Sequence, residues 1–169
     1  MKEVDFNRYL TEITASIAKG AFVTVKSGNK LNTMTIGWGS IGYIWNKPIF
    51  TVLVRKSRYT YDLIEQADHF TVSIPLAGTL KKELAFCGSK SGRDYDKFKE
   101  CSLLAIPGIR VETPVIGGCK FHYECSIVFK QAMNPVELNP EYDQQWYHDK
   151  DYHTIYYGEI LASYLDPTV

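Results

Sequence analysis

Few cysteines and no long apolar segment occur in this sequence, and these absences exclude several classes of protein. Its four cysteines, Cys87, Cys101, Cys119 and Cys125, include no CxxC pair, so neither a disulfide framework nor a zinc ribbon is expected. No apolar run reaches the length of about 18 residues that a transmembrane helix needs, and acidic residues interrupt the N-terminal segment MKEVDFNRYL. We therefore predict a soluble, cytoplasmic protein that does not associate with membranes.

The sequence also lacks an excess of charge of either sign. Nineteen basic residues balance 19 acidic residues, so no overall field would attract nucleic acid, and no nucleic-acid partner is predicted. With 45% hydrophobic and 22% charged residues, the composition is that of a folded protein. The length of 169 residues suits a single domain over residues 1–169.

One group of residues has the spacing of metal ligands. Cys119, His122 and Cys125 lie in the segment CKFHYECSIVFK, which alternates in polarity as a strand does. On a strand, both cysteines share the apolar face with Phe121, Tyr123, Ile127 and Phe129, whereas His122 shares the other face with Lys120, Glu124 and Lys130. We therefore predict structural cysteines and no metal site.

The first half of the chain alternates between helical and strand patterns. Apolar spacing predicts a helix over residues 6–18, and Gly20 ends it. The segments AFVTVK and KLNTMTIGWGSIGYIW, joined by SGN, predict a hairpin. The run IFTVLVR predicts a strand buried on both faces, followed by a helix over residues 59–67 and a strand at HFTVSIP.

The second half contains fewer elements. A short helix is predicted at residues 80–86, and the polar loop CGSKSGRDYDKF follows as a candidate lid. Two more strands are predicted at residues 118–131 and 152–164. Many strands with few helices indicate a mainly β protein, a barrel with peripheral helices.

The junction VLVRKSRYTYDLI is the strongest local signal for a binding site. It brings Arg55, Lys56 and Arg58 to the start of a predicted helix, with Ser57 as the expected N-cap and Thr60 three residues later. Cations are disfavoured at a helix N-terminus unless an anion binds there. We therefore predict a phosphate site, and the alternative is that the cations point into solvent.

A second signal is the segment NTMTIGWGSIG, because it puts small polar groups on a strand that should enter the core. Such groups need hydrogen-bonding partners, and the polar edge of a flat ring could supply them. Gly37 and Gly39, on either side of Trp38, suggest the close approach of a flat group or another backbone. A bulged strand with solvated threonines explains the segment equally well.

Five segments follow one another along the chain: NTMTIGWGSIG, WNKPIFTVLVRKSRYTYDLI, HFTVSIP, CGSKSGRDYDKF and YHTIYYGEI. In this order they resemble the flavin reductase-like, or flavoredoxin, family of FMN-binding split β-barrels. The resemblance covers roughly residues 20–165 and implies FMN as cofactor and a homodimer with the flavin near its interface. It implies that Asn32, Thr33, Met34 and Thr35 line the flavin ring. Arg55, Ser57, Arg58 and Thr60 would hold the phosphate, and Ser91, Gly92 and Lys97 would close over the cofactor.

His153 is the candidate catalytic residue. Reductases of this family carry a Gly-Asp-His triplet five residues before a glycine, and here His153 precedes Gly158 by that spacing, whereas Asp151 and Tyr152 replace the first two residues. A lone histidine in a tyrosine-rich strand can equally be structural.

Three functions remain open at this point. The first is an NAD(P)H:flavin reductase that transfers hydride to FMN and uses NAD(P)H as substrate. The second is a flavoredoxin-type electron carrier with tightly bound FMN and a protein electron acceptor. The third is an FMN-binding module without catalysis. Cys87, near the proposed ligand loop, is either a reactive thiol or a small buried residue.

Overall fold

A computed structural model describes residues 1–76 and 78–169. Antiparallel strands dominate it, which confirms the mainly β prediction. The strands are β1 (Lys2–Glu3), β2 (Ala21–Ser27), β3 (Lys30–Ile36), β4 (Gly39–Ile44), β5 (Lys47–Arg55), β6 (His69–Ile74), β7 (Ala105–Ile106), β8 (Val115–Ile116), β9 (Phe121–Ala132) and β10 (His153–Leu165). The helices are α1 (Leu10–Ile17), α2 (Tyr59–Ile64), α3 (Lys81–Ser89), α4 (Lys97–Glu100) and α5 (Pro140–Trp146), with a 3₁₀ turn at Pro135–Glu137.

The large sheet has the order β3-β2-β6-β9-β10-β5-β4, and β1 pairs with the end of β10. The long strands β9 and β10 lie at its centre, where β10 pairs with β9 on one side and β5 on the other. The main core lies against this sheet and is built from apolar side chains of β2, β5, β6 and β9 with helix α1. None of the helices in the described residues is long and apolar enough to cross a membrane.

The predicted hairpin is present, but the segment KLNTMTIGWGSIGYIW, predicted as its second strand, forms the two strands β3 and β4. β2 and β3 pair in register from Ala21 with Ile36 to Ser27 with Lys30, and Gly28 has a φ of +56° in the turn. The chain then leaves the hairpin at Gly37, and β4 pairs with β5. Helix α1 is shorter than predicted, although Ile13 and Ile17 are buried as the helical spacing requires.

β5 is buried on both faces only at Ile49 and Phe50, and not along the whole apolar run as predicted. Val52 and Val54 enter the core, whereas Thr51, Leu53 and Arg55 alternate with them and stay half-buried. The reason is that, beyond Phe50, β5 has strands on both edges but core on one face only. Leu53 and Arg55 instead line a surface cavity.

The predicted faces of β9 are partly wrong. Cys119 precedes the strand and packs with Phe22 and Leu84 in a second apolar cluster, whereas Cys125 lies in the main core. The polar face is buried too: His122 lies 3.1 Å from Ser73 Oγ, and Glu124 accepts hydrogen bonds from three backbone N–H groups at residues 109–111 and from the Tyr164 hydroxyl. Within the described residues, no cluster of three or more His, Cys, Asp or Glu side chains has the arrangement of a metal site.

Candidate functional site

Two adjoining cavities lie beside β3 and the start of α2. The wide cavity, of about 290 Å³, is lined among others by Met34, Trp38, Leu53, Arg58, Trp146 and His153. The narrow cavity, of about 110 Å³, is lined among others by Ser57, Arg58, Thr60, Ser91, Gly92 and Lys97. Met34, Arg58 and Gly88 line both, so the two cavities adjoin, and together we call them the cleft, with a broad end and a small polar end.

Most residues predicted for the site line this cleft. Met34, Thr35, Arg55, Arg58 and His153 line the wide cavity, and Ser57, Thr60, Ser91, Gly92 and Lys97 line the narrow one. Among the described residues, the predicted Asn32, Thr33 and Lys56 line neither cavity. The structure therefore brings together residues that lie more than 60 positions apart in the chain.

Strand β3 places its four predicted residues differently. Met34 and Thr35 reach the cleft, and Thr35 Oγ1 donates to the Leu84 carbonyl over 2.6 Å. The Thr33 side chain is fully buried, accepts from the Thr24 hydroxyl and donates to the Val23 carbonyl, so it is not available to a ligand in the cleft. Asn32 lies just behind the narrow cavity, where its Nδ2 donates to Thr60 Oγ1 over 2.8 Å.

The start of α2 differs from the predicted capped helix. The N-cap is Arg58 rather than Ser57, and no side chain caps the helix from that position. Ser57 instead lies one residue before the N-cap and donates its hydroxyl hydrogen to Asp151 Oδ2 over 2.5 Å. α2 spans only six residues, so the predicted dipole contributes little, and the case for an anion depends on the side chains.

Arg55 is used within the chain. Its Nη1 donates to the Asp151 carbonyl (3.1 Å) and to the Asp149 carboxylate (3.2 Å), and its Nη2 donates to the Trp146 carbonyl (2.7 Å). Its guanidinium also lies 5.1 Å from the centre of the Tyr147 ring. Arg55 therefore holds the segment 146–151, which carries one wall of the wide cavity.

Arg58 and Lys56 differ from Arg55 because they are exposed and have no carboxylate partner in the part of the chain that the structure describes. Arg58 lies where the two cavities meet. Lys56 is outside the cleft. The two neighbouring cations thus provide a natural comparison, since one lies in the cleft and the other does not.

Lys97 is a buried cation at the narrow end. Its side chain is 4% exposed, and Nζ donates to the carbonyl oxygens of Thr33 (2.9 Å) and Cys87 (2.8 Å). Burial lowers the pKa of Lys97. Among residues 1–76 and 78–169, it has no carboxylate partner. The two carbonyls use two of its three N–H groups, so the third has no partner in that part of the chain.

Thr60 has a similar spare donor. Its Oγ1 accepts from Asn32, and the residue is almost fully buried. A hydroxyl that accepts one hydrogen bond still has its own hydrogen to donate. Within the described chain that hydrogen has no hydrogen-bond acceptor, so Thr60 adds a second donor at the narrow cavity.

The loop after α3 closes over the narrow cavity, and a residue that we did not predict fastens it. Arg93 Nη1 donates to the Ser57 carbonyl over 3.0 Å, and Nη2 donates to Asp62 over 2.7 Å. A Cβ on Gly92 would lie 2.1 Å from Asn32 Oδ1, so only glycine lets the loop lie this close to β3. Ser91 Oγ accepts from the Arg93 N–H within the same turn.

His153 forms part of an aromatic wall in the wide cavity. Its Nδ1 lies 2.7 Å from the Tyr147 hydroxyl, and its ring centre lies 5.3 Å from that of Trp38. Burial, followed by the nearby Arg55 charge, lowers the pKa of His153 to about 4, so the imidazole is neutral near pH 7. Trp38 and Trp146 continue the wall, with ring centres 5.2 Å apart at 85°.

Two features of the sequence motifs have structural explanations. A Cβ on Gly158 would lie 2.6 Å from both Phe70 Cζ and Cys125 Cβ, so core packing alone requires this glycine.

Cys87 is 1% exposed, and burial raises the pKa of its thiol to about 12. Cys87 is therefore the small buried residue of the two alternatives and not a reactive thiol.

The chain belongs to the flavin reductase like domain family, whose model matches residues 16–169. Its structural neighbours have the split-barrel fold of flavin reductases, which confirms the predicted fold class.

Three solved structures illustrate the likeness. A flavoredoxin from Methanosarcina acetivorans is 28% identical, with a TM-score of 0.66 over 88% of this chain and 68% of that chain. An FMN-binding protein from Thermus thermophilus with bound 1-cyclohex-2-enone is 23% identical, with a TM-score of 0.68 over 86% of this chain and 69% of the other. A NADH:FAD oxidoreductase from Streptomyces globisporus, in complex with NAD and FAD fragments, is 22% identical, with a TM-score of 0.65 over 88% of this chain and 74% of the other.

The hydrogen bonds of Arg55 predict a stability effect. Replacing Arg55 by methionine keeps most of the side-chain volume but removes the bonds to the carbonyls of Trp146 and Asp151. We expect Arg55→Met to lower the free energy of unfolding by about 1–2 kcal/mol, measured by urea denaturation. Lys56→Met is the control, with a change below about 0.5 kcal/mol. Equal stability of the two variants would contradict the role given to Arg55.

Proposed function

We propose that this protein binds FMN in the cleft and acts as a flavin-dependent oxidoreductase. The observation that carries the proposal is the pair of cations at the narrow end, Arg58 and Lys97, which have no carboxylate partner in the described chain. A buried cation without a counter-ion is costly, and a phosphate group would supply the missing charge. The names of the structural neighbours, a flavoredoxin and an FMN-binding protein, support FMN as the ligand.

The two ends of the cleft fit the two ends of FMN. The narrow cavity offers donors from Arg58, Lys97 and Thr60, which suit phosphate oxygens. The wide cavity offers Met34 and the Trp38 ring, which suit a flat, largely apolar ring. The volume of the wide cavity is near the lower end of the range for ligand sites. Because the cavity is open on one side, part of a bound ring would remain accessible. FMN itself supplies the redox chemistry, since its ring accepts and donates hydride.

The chain's own residues would bind, orient and shield this group. Arg58 lies where the two cavities meet, so it is suited to hold the phosphate and thereby to fix the position of the ring. The loop around Gly92, fastened by Arg93, would exclude water from the phosphate end. His153 would present a neutral imidazole, oriented by the Tyr147 hydroxyl, to a substrate on the ring.

Binding measurements with FMN and riboflavin test the phosphate assignment, because riboflavin lacks the phosphate. We expect Arg58→Ala to weaken FMN binding by roughly 10-fold to 100-fold, the range for a hydrogen bond to a charged group. Riboflavin binding should change by less than about 2-fold. Lys56→Ala is the matched control and should leave both affinities unchanged. An Arg58→Ala variant that binds FMN as tightly as the unmodified protein would refute the assignment.

The proposed reaction is NAD(P)H-dependent reduction of FMN. It is supported by the exposed wide cavity beside His153 and by the likeness to an NADH:FAD oxidoreductase. The competing function is a flavoredoxin-type electron carrier that retains FMN and exchanges electrons with a partner protein, and the flavoredoxin neighbour supports it. A binding module without turnover is the third outcome.

Anaerobic turnover with NADH and with NADPH separates these functions. We expect one donor to reduce added FMN catalytically, and we expect His153→Gln to lower kcat by about 10-fold or more, the effect of losing about one hydrogen bond in the transition state. Since the pKa of His153 is about 4, the rate should not follow a histidine titration between about pH 5.5 and 8. No turnover with either donor, from protein that purifies with bound flavin, would favour the carrier.

We also propose a homodimer, in line with the resemblance, and a cytoplasmic location stays a prediction. The supporting observation is an exposed aromatic cluster: Trp45 is 59% exposed, Phe129 is 44% exposed, and their ring centres lie 6.0 Å apart. Tyr157 packs on both rings. Exposed apolar clusters of this kind mark association surfaces in soluble proteins.

Sedimentation equilibrium tests the dimer. We expect the protein to be dimeric at micromolar concentration, and Trp45→Glu to shift it towards monomer by roughly 10-fold or more in dissociation constant, since the change buries a charge. Tyr142→Glu, a change at another exposed aromatic residue outside the cluster, is the control. A monomer at all concentrations, with and without FMN, would exclude the dimer.

A further inference from the structure

Asp151 engages both donors that Ser57 presents at the narrow cavity. The Ser57 N–H donates to Asp151 Oδ1 over 3.3 Å, and the Ser57 hydroxyl donates to Asp151 Oδ2 over 2.5 Å. Both oxygens of one carboxylate are therefore bound to one residue of the cleft. A phosphate group would use the same two donors in the same way.

The rest of the chain fixes this carboxylate in position. The Asp151 carbonyl accepts from Arg55 Nη1 over 3.1 Å, and its N–H donates to Asp149 Oδ1 over 3.2 Å. Two residues later, His153 begins β10. The backbone of Asp151 is thus held by Arg55 on one side and by strand β10 on the other. The position of its carboxylate against Ser57 is therefore restricted by the fold.

The charge of Asp151 has a consequence for any anion in the cleft. A phosphate that approaches Ser57 must displace the carboxylate or remain close to a like charge, and both cost free energy. Ser57 is exposed and Asp151 half-buried, so solvent screens part of this cost. Arg58 and Lys97, by contrast, have no carboxylate partner among the described residues and keep their attraction for phosphate.

We propose that Asp151 is an affinity-determining residue that competes with the flavin phosphate for Ser57 and thereby speeds release of the flavin. This inference rests on the proposed binding of FMN in the cleft. The competition would make the flavin exchangeable, as a reductase that hands on reduced flavin requires. A carrier that retains its flavin would have no need of an internal competitor.

Flavin binding by Asp151→Asn is the main test, because asparagine keeps the shape and removes the charge. We expect the dissociation constant for FMN to fall by roughly 3-fold to 10-fold, with a slower dissociation rate, whereas that for riboflavin changes by less than about 2-fold. Asp149→Asn is the matched control: its carboxylate pairs with Arg55 rather than Ser57, and the asparagine oxygen can still accept the hydrogen bond from the Asp151 N–H, so it should not favour FMN over riboflavin. Unchanged or weaker FMN binding by a folded Asp151→Asn variant would overturn the inference.

Ser57→Ala gives an independent test that leaves Asp151 in place. Because Asp151 already engages the Ser57 donors, we expect this change to weaken FMN binding by less than about 3-fold. In the Asp151→Asn background the same change should cost more, since Ser57 would then be available to phosphate. A loss above about 10-fold for Ser57→Ala alone, with riboflavin binding unchanged, would show that Asp151 does not compete.

The two proposals fail in different ways. If the unmodified protein binds neither flavin, or if Arg58→Ala leaves FMN binding unchanged, the proposed function fails. If FMN binding depends on Arg58 while the Asp151 and Ser57 variants contradict the expectations above, only the competition by Asp151 fails.

Discussion

The site depends on one electrostatic constraint: Lys97 is a buried cation that has no carboxylate partner in the described chain. Its ammonium ties the backbone of β3 to that of α3 through the carbonyls of Thr33 and Cys87, and its third N–H has no partner in the described chain. Such an arrangement is costly unless an anion completes it. The two hydrogen bonds of Lys97 therefore shape the cleft and also keep a positive charge beside it, which favours the binding of an anion.

The other charged residues around the cleft divide into two groups. Arg55 and Arg93 are satisfied within the chain, and they fix the walls: Arg55 holds the segment before β10, and Arg93 holds the loop over the narrow cavity. Arg58, like Lys97, has no carboxylate partner in the part of the chain that the structure describes. The first group builds the cleft, and the second group is available to a ligand. Asp151 is linked to both functions, because Arg55 holds its carbonyl while its carboxylate binds Ser57 in the cleft.

The sequence predicts local structure better than it predicts pairing. The hairpin of β2 and β3 and the mainly β class follow from alternation and turn residues. The N-cap at Ser57 and the shared face of Cys119 and Cys125 were wrong, because a carboxylate 94 residues away binds Ser57 and because the chain turns at Gly118 before β9 begins. Local patterns likewise place three cations at residues 55–58. They do not reveal that Arg55 is the one that pairs with a distant acid, Asp149. The aromatic wall of Trp38 and Trp146 is missed for the same reason.

A crystal structure of the protein with FMN tests the central claim most directly. We expect a phosphate oxygen within hydrogen-bonding distance of Lys97 Nζ and another near the Arg58 guanidinium, with the flavin ring in the cavity beside Met34 and Trp38. A phosphate group that points into solvent, or that binds elsewhere while Lys97 keeps only its two carbonyl partners, would contradict this account.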